Sequence, residues 1–173
     1  MNLSNQNSKF LKAIEANKGI IYKIASAYCK DEEGRKDLIQ EIVFQLWRSF
    51  HKYDEQYKLS TWIYRIALNV SISFYEKEKR RAAISNPMSE SVISLRQDVE
   101  SEEVNPDLQI LQRFISELKE FDRALIILHL EGNDHKEISQ ILGISTANVS
   151  TKISRIKERL RDKFQLLKTN EYE

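Results

Sequence analysis

Between Thr146 and Phe164 two kinds of side chain alternate out of phase. Val149, Ile153, Ile156, Leu160 and Phe164 recur at steps of three and four. Opposite them stand Ala147, Asn148, Thr151, Ser154 and Arg155, flanked by Ser150 and Lys152. On a helix, the first set makes a buried stripe and the second an exposed face. That face has a definite chemistry. An amide such as Asn148 offers the donor and acceptor that match adenine, Lys152 and Arg155 reach guanine or phosphate, and short neighbours let a backbone approach base edges. A solvated helix carrying ordinary charges would show the same cations, but it would not need the turn that precedes this one.

That turn lies in His135-Lys136-Glu137-Ile138-Ser139-Gln140-Ile141-Leu142-Gly143-Ile144-Ser145. A helix-turn-helix wants a small residue where the helices cross, a glycine able to take positive φ, and an apolar anchor on the second helix. Ser139 stands four before Gly143, Val149 stands six after it, and Ser145 or Thr146 can cap the second helix. Upstream, Leu108, Leu111, Phe114, Ile115 and Leu118 share one helical face, and Phe121 to Leu130 forms a further apolar helix.

The N-terminal half presents different chemistry. Leu38, Ile39, Ile42, Val43, Leu46, Trp47 and Phe50 form a broad apolar stripe, while Asp37, Gln40, Glu41, Phe44 and Arg48 occupy the other face. An aromatic among acids and amides reads as a partner-binding spot, or else as a scattered surface hydrophobe or a ring packed on a neighbouring helix, and spacing alone leaves these readings open. Farther on, Ser60 or Thr61 opens a helix whose inner face is read as Trp62, Ile63, Ile66, Ala67 and Val70, with Tyr64, Arg65, Leu68 and Asn69 pointing elsewhere. Phe74, Tyr75 and the cations Lys77, Lys79, Arg80 and Arg81 follow. Aromatics beside cations suit single-stranded nucleic acid, whose bases stack on rings while cations hold phosphates.

Catalytic and metal chemistry find no such pattern. His51, His129 and His135 are far apart, no metal-ligand pair stands at helical spacing, and no glycine-rich phosphate loop occurs. The reading is of a non-enzyme with neither cofactor nor metal. The single cysteine, Cys29, follows Ile20, Ile21, Ile24 and Ala25 and is expected as a core thiol. With no long apolar run and a polar start from Met1 to Ser8, the expectation is a cytoplasmic protein without stable membrane insertion.

Four glycines and two prolines in 173 residues disfavour a turn-rich β fold and favour long helices. The net charge of +1 conceals segregation. Basic residues crowd Lys58 to Arg81 and Thr146 to Lys163. From Ala82 to Asn105 the acids Glu90, Asp98, Glu100, Glu102 and Glu103 oppose Arg96 alone, among serines and Pro87. The expected architecture is all-α. Two small helical domains, residues 1–81 and 106–173, are joined by a flexible acidic linker, residues 82–105, with the helix-turn-helix in the second domain and Pro106 opening its first helix.

Three segments in this order resemble the extracytoplasmic-function branch of the bacterial RNA polymerase sigma factors. They run from Asp37 to Trp47, from Ser60 to Asn69, and from Glu137 to Ser145, and the similarity spans about Phe10 to Phe164. The resemblance implies a factor that binds core RNA polymerase, directs it to promoters and helps melt the DNA. Asp37, Gln40, Glu41 and Phe44 would dock on the clamp coiled coil of the largest subunit. Tyr64, Arg65, Asn69, Lys77, Lys79, Arg80 and Arg81 would hold the opened minus-ten element, Asn69 beginning a loop that captures a flipped base. Asn148, Ser150, Thr151, Lys152, Ser154 and Arg155 would read the minus-thirty-five duplex, with their lobe resting on the flap of the second-largest subunit. The linker acids would imitate nucleic acid near the active-site cleft, and an anti-sigma factor is an implied partner.

The chain departs from the family pattern in places. Ser73 and Phe74 stand where many relatives carry an acidic residue and arginines, Glu76 and Glu78 interrupt the basic run, and Ser150 replaces a frequent cation. The rival reading is a helix-turn-helix regulator that binds palindromic duplex without polymerase. The asymmetric layout and the segment Trp62 to Asn69 argue against it.

Overall fold

The computed structural model describes residues 3–85 and 105–170. Seven α-helices account for nearly all of them: α1 Leu3–Tyr28, α2 Glu32–Ser49, α3 Leu59–Ser85, α4 Pro106–Ser116, α5 Glu120–Leu130, α6 His135–Leu142 and α7 Thr146–Asn170, with a single 3-10 turn at Phe50–Lys52. No strand occurs among the described residues. The linker acids expected to imitate nucleic acid fall at residues 86–104, outside the described part. The preceding helix does not end at Arg81. Ala82, Ala83 and Ile84 contain no breaker, and α3 runs on to Ser85.

Two compact units contain these helices. The first comprises the residues up to Tyr75 together with Lys136–Ile144, and the second comprises those from Glu76 to His135 and from Ser145 onward.

In the first unit α1 and α2 pack as neighbours. Ile21, Ile24, Ala25 and Tyr28 of α1, and Leu38, Ile42 and Leu46 of α2, are almost fully removed from solvent. Each of these leucines and isoleucines contributes about 1.5–3 kcal/mol of burial free energy. The Asp31 carboxylate caps α2 by accepting from the Gly34 N–H at 2.8 Å, and Glu32 and Glu33 in the first turn oppose the positive helix terminus. Gly34 is needed for its size: a Cβ there would stand 2.9 Å from Cys29 Sγ. Cys29 itself is half-buried at this corner rather than in the core. Phe10 sets its ring edge-on to Trp47 and Phe50, and Phe50 and Tyr53 both pack on Trp62 of α3. The same unit holds α6 from Lys136 onward, where the Lys58 ammonium pairs with Glu137 at 2.5 Å and an Arg65 N–H donates to the Gln140 carbonyl at 2.9 Å.

In the second unit Asn105 caps α4, its side chain accepting from the Asp107 N–H at 2.9 Å, and Pro106 occupies the first turn as expected. Ala124, Leu125, Ile126 and Leu128 of α5 are buried, as are Val149, Ile153, Ile156 and Leu160 of α7, and these two helices pack together. Phe114 of α4 meets Phe164 of α7 edge-on. Lys163 pairs with Glu117, holding that carboxyl below its ordinary range. Arg123 is 3 % exposed, and its Nη2 donates to the carbonyls of Ser116 and Leu118 at 2.5 and 3.2 Å. A buried guanidinium thus satisfies carbonyls at the end of α4, where the helix itself supplies no donors.

Replacing Arg123 by methionine keeps much of the apolar stem and leaves those two carbonyls without this donor. The expected cost is about 3 kcal/mol of unfolding free energy, read from urea denaturation followed by circular dichroism. A change within about 0.5 kcal/mol contradicts the capping role.

Candidate nucleic-acid interface

The geometry of the second helix-turn-helix element follows from the turn before it. Gly143 adopts φ +69°, a left-handed conformation that costs other residues roughly 1–2 kcal/mol. Its N–H donates to Ser139 O at 2.9 Å. The Ser139 hydroxyl reaches across the turn to Ile144 O at 2.6 Å. Ser145 Oγ then accepts the Asn148 N–H at 3.2 Å, so Ser145 rather than Thr146 caps α7.

From this start, α7 keeps Val149, Ile153, Ile156 and Leu160 inside, so Ala147, Asn148, Ser150, Thr151, Ser154 and Arg155 stand exposed. Thr151 spends its hydroxyl on Ala147 O at 3.0 Å. The oxygen remains able to accept. Lys152 differs from the other candidates: it is half-buried, and its ammonium lies 5.6 Å from the centroid of the Phe121 ring. Arg159, two turns on, approaches Asp122 at 3.7 Å. The start of α5 therefore holds two cations along one edge of α7, a feature invisible in the periodicity of α7 alone.

On α2 the structure brings Asp37, Gln40, Glu41 and Phe44 onto one exposed ridge. Phe44 is 54 % exposed, so much of its ring faces solvent. Trp47, one turn farther, belongs to the same surface at 39 % exposed, although periodicity placed it inside. Gln40 also borders a cavity of about 570 Å³ lined by Tyr22, Ser26, Glu32, Arg35, Lys36 and Ile39.

The third group, on α3, is divided by the structure. Arg65 and Asn69 are exposed, as are Lys77, Lys79, Arg80 and Arg81. No loop begins at Asn69: Asn69, Ser73, Glu76 and Arg80 recur at steps of four, three and four and so share one side of a continuous helix. Arg80 and Arg81 are braced from within that helix, by Glu76 O at 3.3 Å and the Glu78 carboxylate at 2.8 Å. Tyr64, expected beside them, is a core residue at 7 % exposed, and Leu68 is at 1 %. The buried side of α3 is Ile63, Tyr64, Ala67, Leu68 and Ser71, whereas Trp62, Ile66 and Val70 are half-buried. Tyr75 sets its ring edge-on to Tyr28, so it serves packing.

Two lobes with separate exposed polar surfaces, one ending in a helix-turn-helix, define a helical DNA-binding factor that carries more than a duplex reader. Comparison with known proteins sharpens this. The family model Sigma-70 region 2 matches residues 13–81, and Sigma-70, region 4 matches residues 108–160. The chain belongs to the sigma-70 family, as a sigma factor of the extracytoplasmic-function type that directs RNA polymerase. It is 28% identical over 142 residues to the ECF RNA polymerase sigma factor SigM of Bacillus subtilis, covering 82% of this chain and 86% of that one. It is 25% identical to SigW of the same organism, covering 88% and 87%. Among solved structures, the sigma factor RpoE in complex with the anti-sigma factor NepR from Bartonella quintana superposes with TM-score 0.64 at 20% identity, over 94% and 98% of the two chains. CnrH in complex with the cytosolic domain of CnrY gives 0.67 at 19%, over 92% and 90%. A duplex regulator acting without polymerase is not favoured.

Among the described residues no helix is long and apolar enough to cross a membrane, and no three histidine, cysteine or acidic side chains gather as a metal site.

The burial of Tyr64 separates stability from DNA contact. Tyr64→Ala is expected to cost about 3–5 kcal/mol in denaturant melts. A folded, fully stable Tyr64→Ala protein with defective promoter opening would return Tyr64 to the interface.

Proposed function

We propose that the three exposed surfaces divide the work of transcription initiation. The ridge Asp37, Gln40, Glu41 and Phe44 binds the largest subunit of core RNA polymerase, and Trp47 extends it. Arg65, Asn69, Lys77, Lys79, Arg80 and Arg81 hold the single-stranded minus-ten element. Asn148, Ser150, Thr151, Ser154 and Arg155 read the minus-thirty-five duplex, with Lys152 on a flanking phosphate and the lobe against the second-largest subunit. The protein works in the cytoplasm, without catalytic chemistry of its own. An anti-sigma protein restrains it, as the likeness to the two anti-sigma-bound proteins suggests.

The observation that carries this division is the exposed Phe44. An unburied aromatic ring among acids and amides suits an anchor for a protein partner, a role that reading duplex alone does not call for. Phe44→Ala is therefore expected to leave the melting transition unchanged and to weaken association with core polymerase by at least ~2 kcal/mol, about thirtyfold in Kd. Fluorescence anisotropy of labelled protein against core enzyme measures this. Early melting, or undiminished association, removes Phe44 from the interface.

Strand opening makes a second demand. A base leaves its stack at a cost of a few kcal/mol that a pocket must offset. Asn69→Ala is expected to permit holoenzyme assembly and closed-complex binding while reducing permanganate reactivity of promoter thymines, with partial rescue on a pre-melted bubble. Wild-type reactivity on the closed duplex would exclude Asn69 from opening.

A further inference from the structure

One cluster in the second unit has no part in the division above. His129 near the end of α5 and His135 at the start of α6 bring their rings to 6.4 Å between centroids, tilted by 45°. Lys157 of α7 adds its positive charge to the same neighbourhood. Each group comes from a different helix. Protonated, the two imidazoles and the ammonium repel one another, so the cluster favours an anion among them.

The position of the cluster around α7 matters. At about 100° per residue, Lys152 and Lys157 lie about 140° apart across the buried stripe. The residues Ala147, Asn148, Thr151, Ser154 and Arg155 fill the longer arc between them. An α-helix in the major groove has a phosphate strand along each side. Lys152 and Arg159, held by Phe121 and Asp122, form the cationic edge on one side. Lys157 with the histidine pair forms the edge on the other.

We propose that His129, His135 and Lys157 form a second backbone-phosphate site of the duplex-reading lobe, and that this site takes up a proton when DNA binds. The proposal rests on the reading of α7 as the duplex-contacting helix. Without DNA, burial, then Lys157, then His135, hold the His129 imidazole below its ordinary value. A phosphodiester between the three groups reverses the electrostatic part of that balance, because its negative charge favours the imidazolium. Bound histidine then has a higher pKa than free histidine, so affinity is greater at low pH and falls as pH rises through the bound value. The acids nearest in sequence, Glu131 and Asp134 of the intervening turn, are exposed, as is Lys136 after it.

Phosphate contacts are independent of sequence, and a mixed-sequence 24-base-pair duplex at low salt is a sufficient probe for the full-length chain. Its affinity is expected to rise roughly tenfold from about pH 7.5 to about pH 5.5. His129→Gln/His135→Gln should lose most of that rise while retaining the wild-type melting temperature. Proton NMR of the imidazole C–H resonances should show the midpoints of His129 and His135, and not of His51, moving upward when duplex is added. This arm needs no variant. Absence of duplex binding at every pH, a slope that survives in the double variant, or midpoints unmoved by DNA overturns the proposal. None of those results touches the polymerase-dependent reading, which is tested through Phe44 and Asn69.

Discussion

Burial of one stripe on α7 fixes what the protein shows to DNA. Val149, Ile153, Ile156 and Leu160 are sunk against the second unit, and each turned outward would forfeit about 1.5–3 kcal/mol. Rotation of α7 about its axis is therefore closed. Every outward residue follows from that choice. The turn at Gly143 and the cap at Ser145 set where the helix begins, and so which turn carries Asn148 and which carries Arg155. Function on this helix is the complement of its packing.

The same logic serves α2, where Leu38, Ile42 and Leu46 go inward and the ridge through Phe44 is left exposed. It serves the second unit's stability differently. There the polar work is done by charge placed against backbone and aromatic groups: Arg123 on the end of α4, Lys163 between Glu117 and Phe114, Lys152 over Phe121. These contacts pin α4 and α5 to α7. They also hold Lys152 and Lys163 of α7 in place.

Much of this was legible because α2 and α7 are strongly amphipathic over several turns, and because a glycine at positive φ has few substitutes in a tight turn. α3 was harder to read. It is apolar on most sides near its start, so Ile63, Tyr64, Ala67 and Leu68 compete with Trp62, Ile66 and Val70 for the core, and the pattern has no clear phase. Tyrosine, apolar in body and polar at its tip, fits either choice. Structure settles it by burying Tyr64 and leaving Trp62 at the edge of the Phe50–Tyr53 cluster. Lys152 shows a related limit of the pattern. Its flank position was clear from spacing, but the ring that holds it comes from another helix, and a single-helix pattern carries no information about that. Likewise, Trp47 looked internal because its neighbours at three and four are apolar. The helix against which it would have to be buried covers only its Phe10 side.

The central claim is that this chain supplies promoter recognition to a polymerase and does not act alone. Core RNA polymerase reconstituted with the full chain on fragmented genomic DNA, followed by footprinting and mapping of transcript starts, tests that claim directly. The account predicts stable co-purification with core and starts clustered at fixed distances downstream of one shared asymmetric element, with protection of that element only when both components are present. Protection of palindromic sites by the chain alone, without association with core and without new starts, would contradict it.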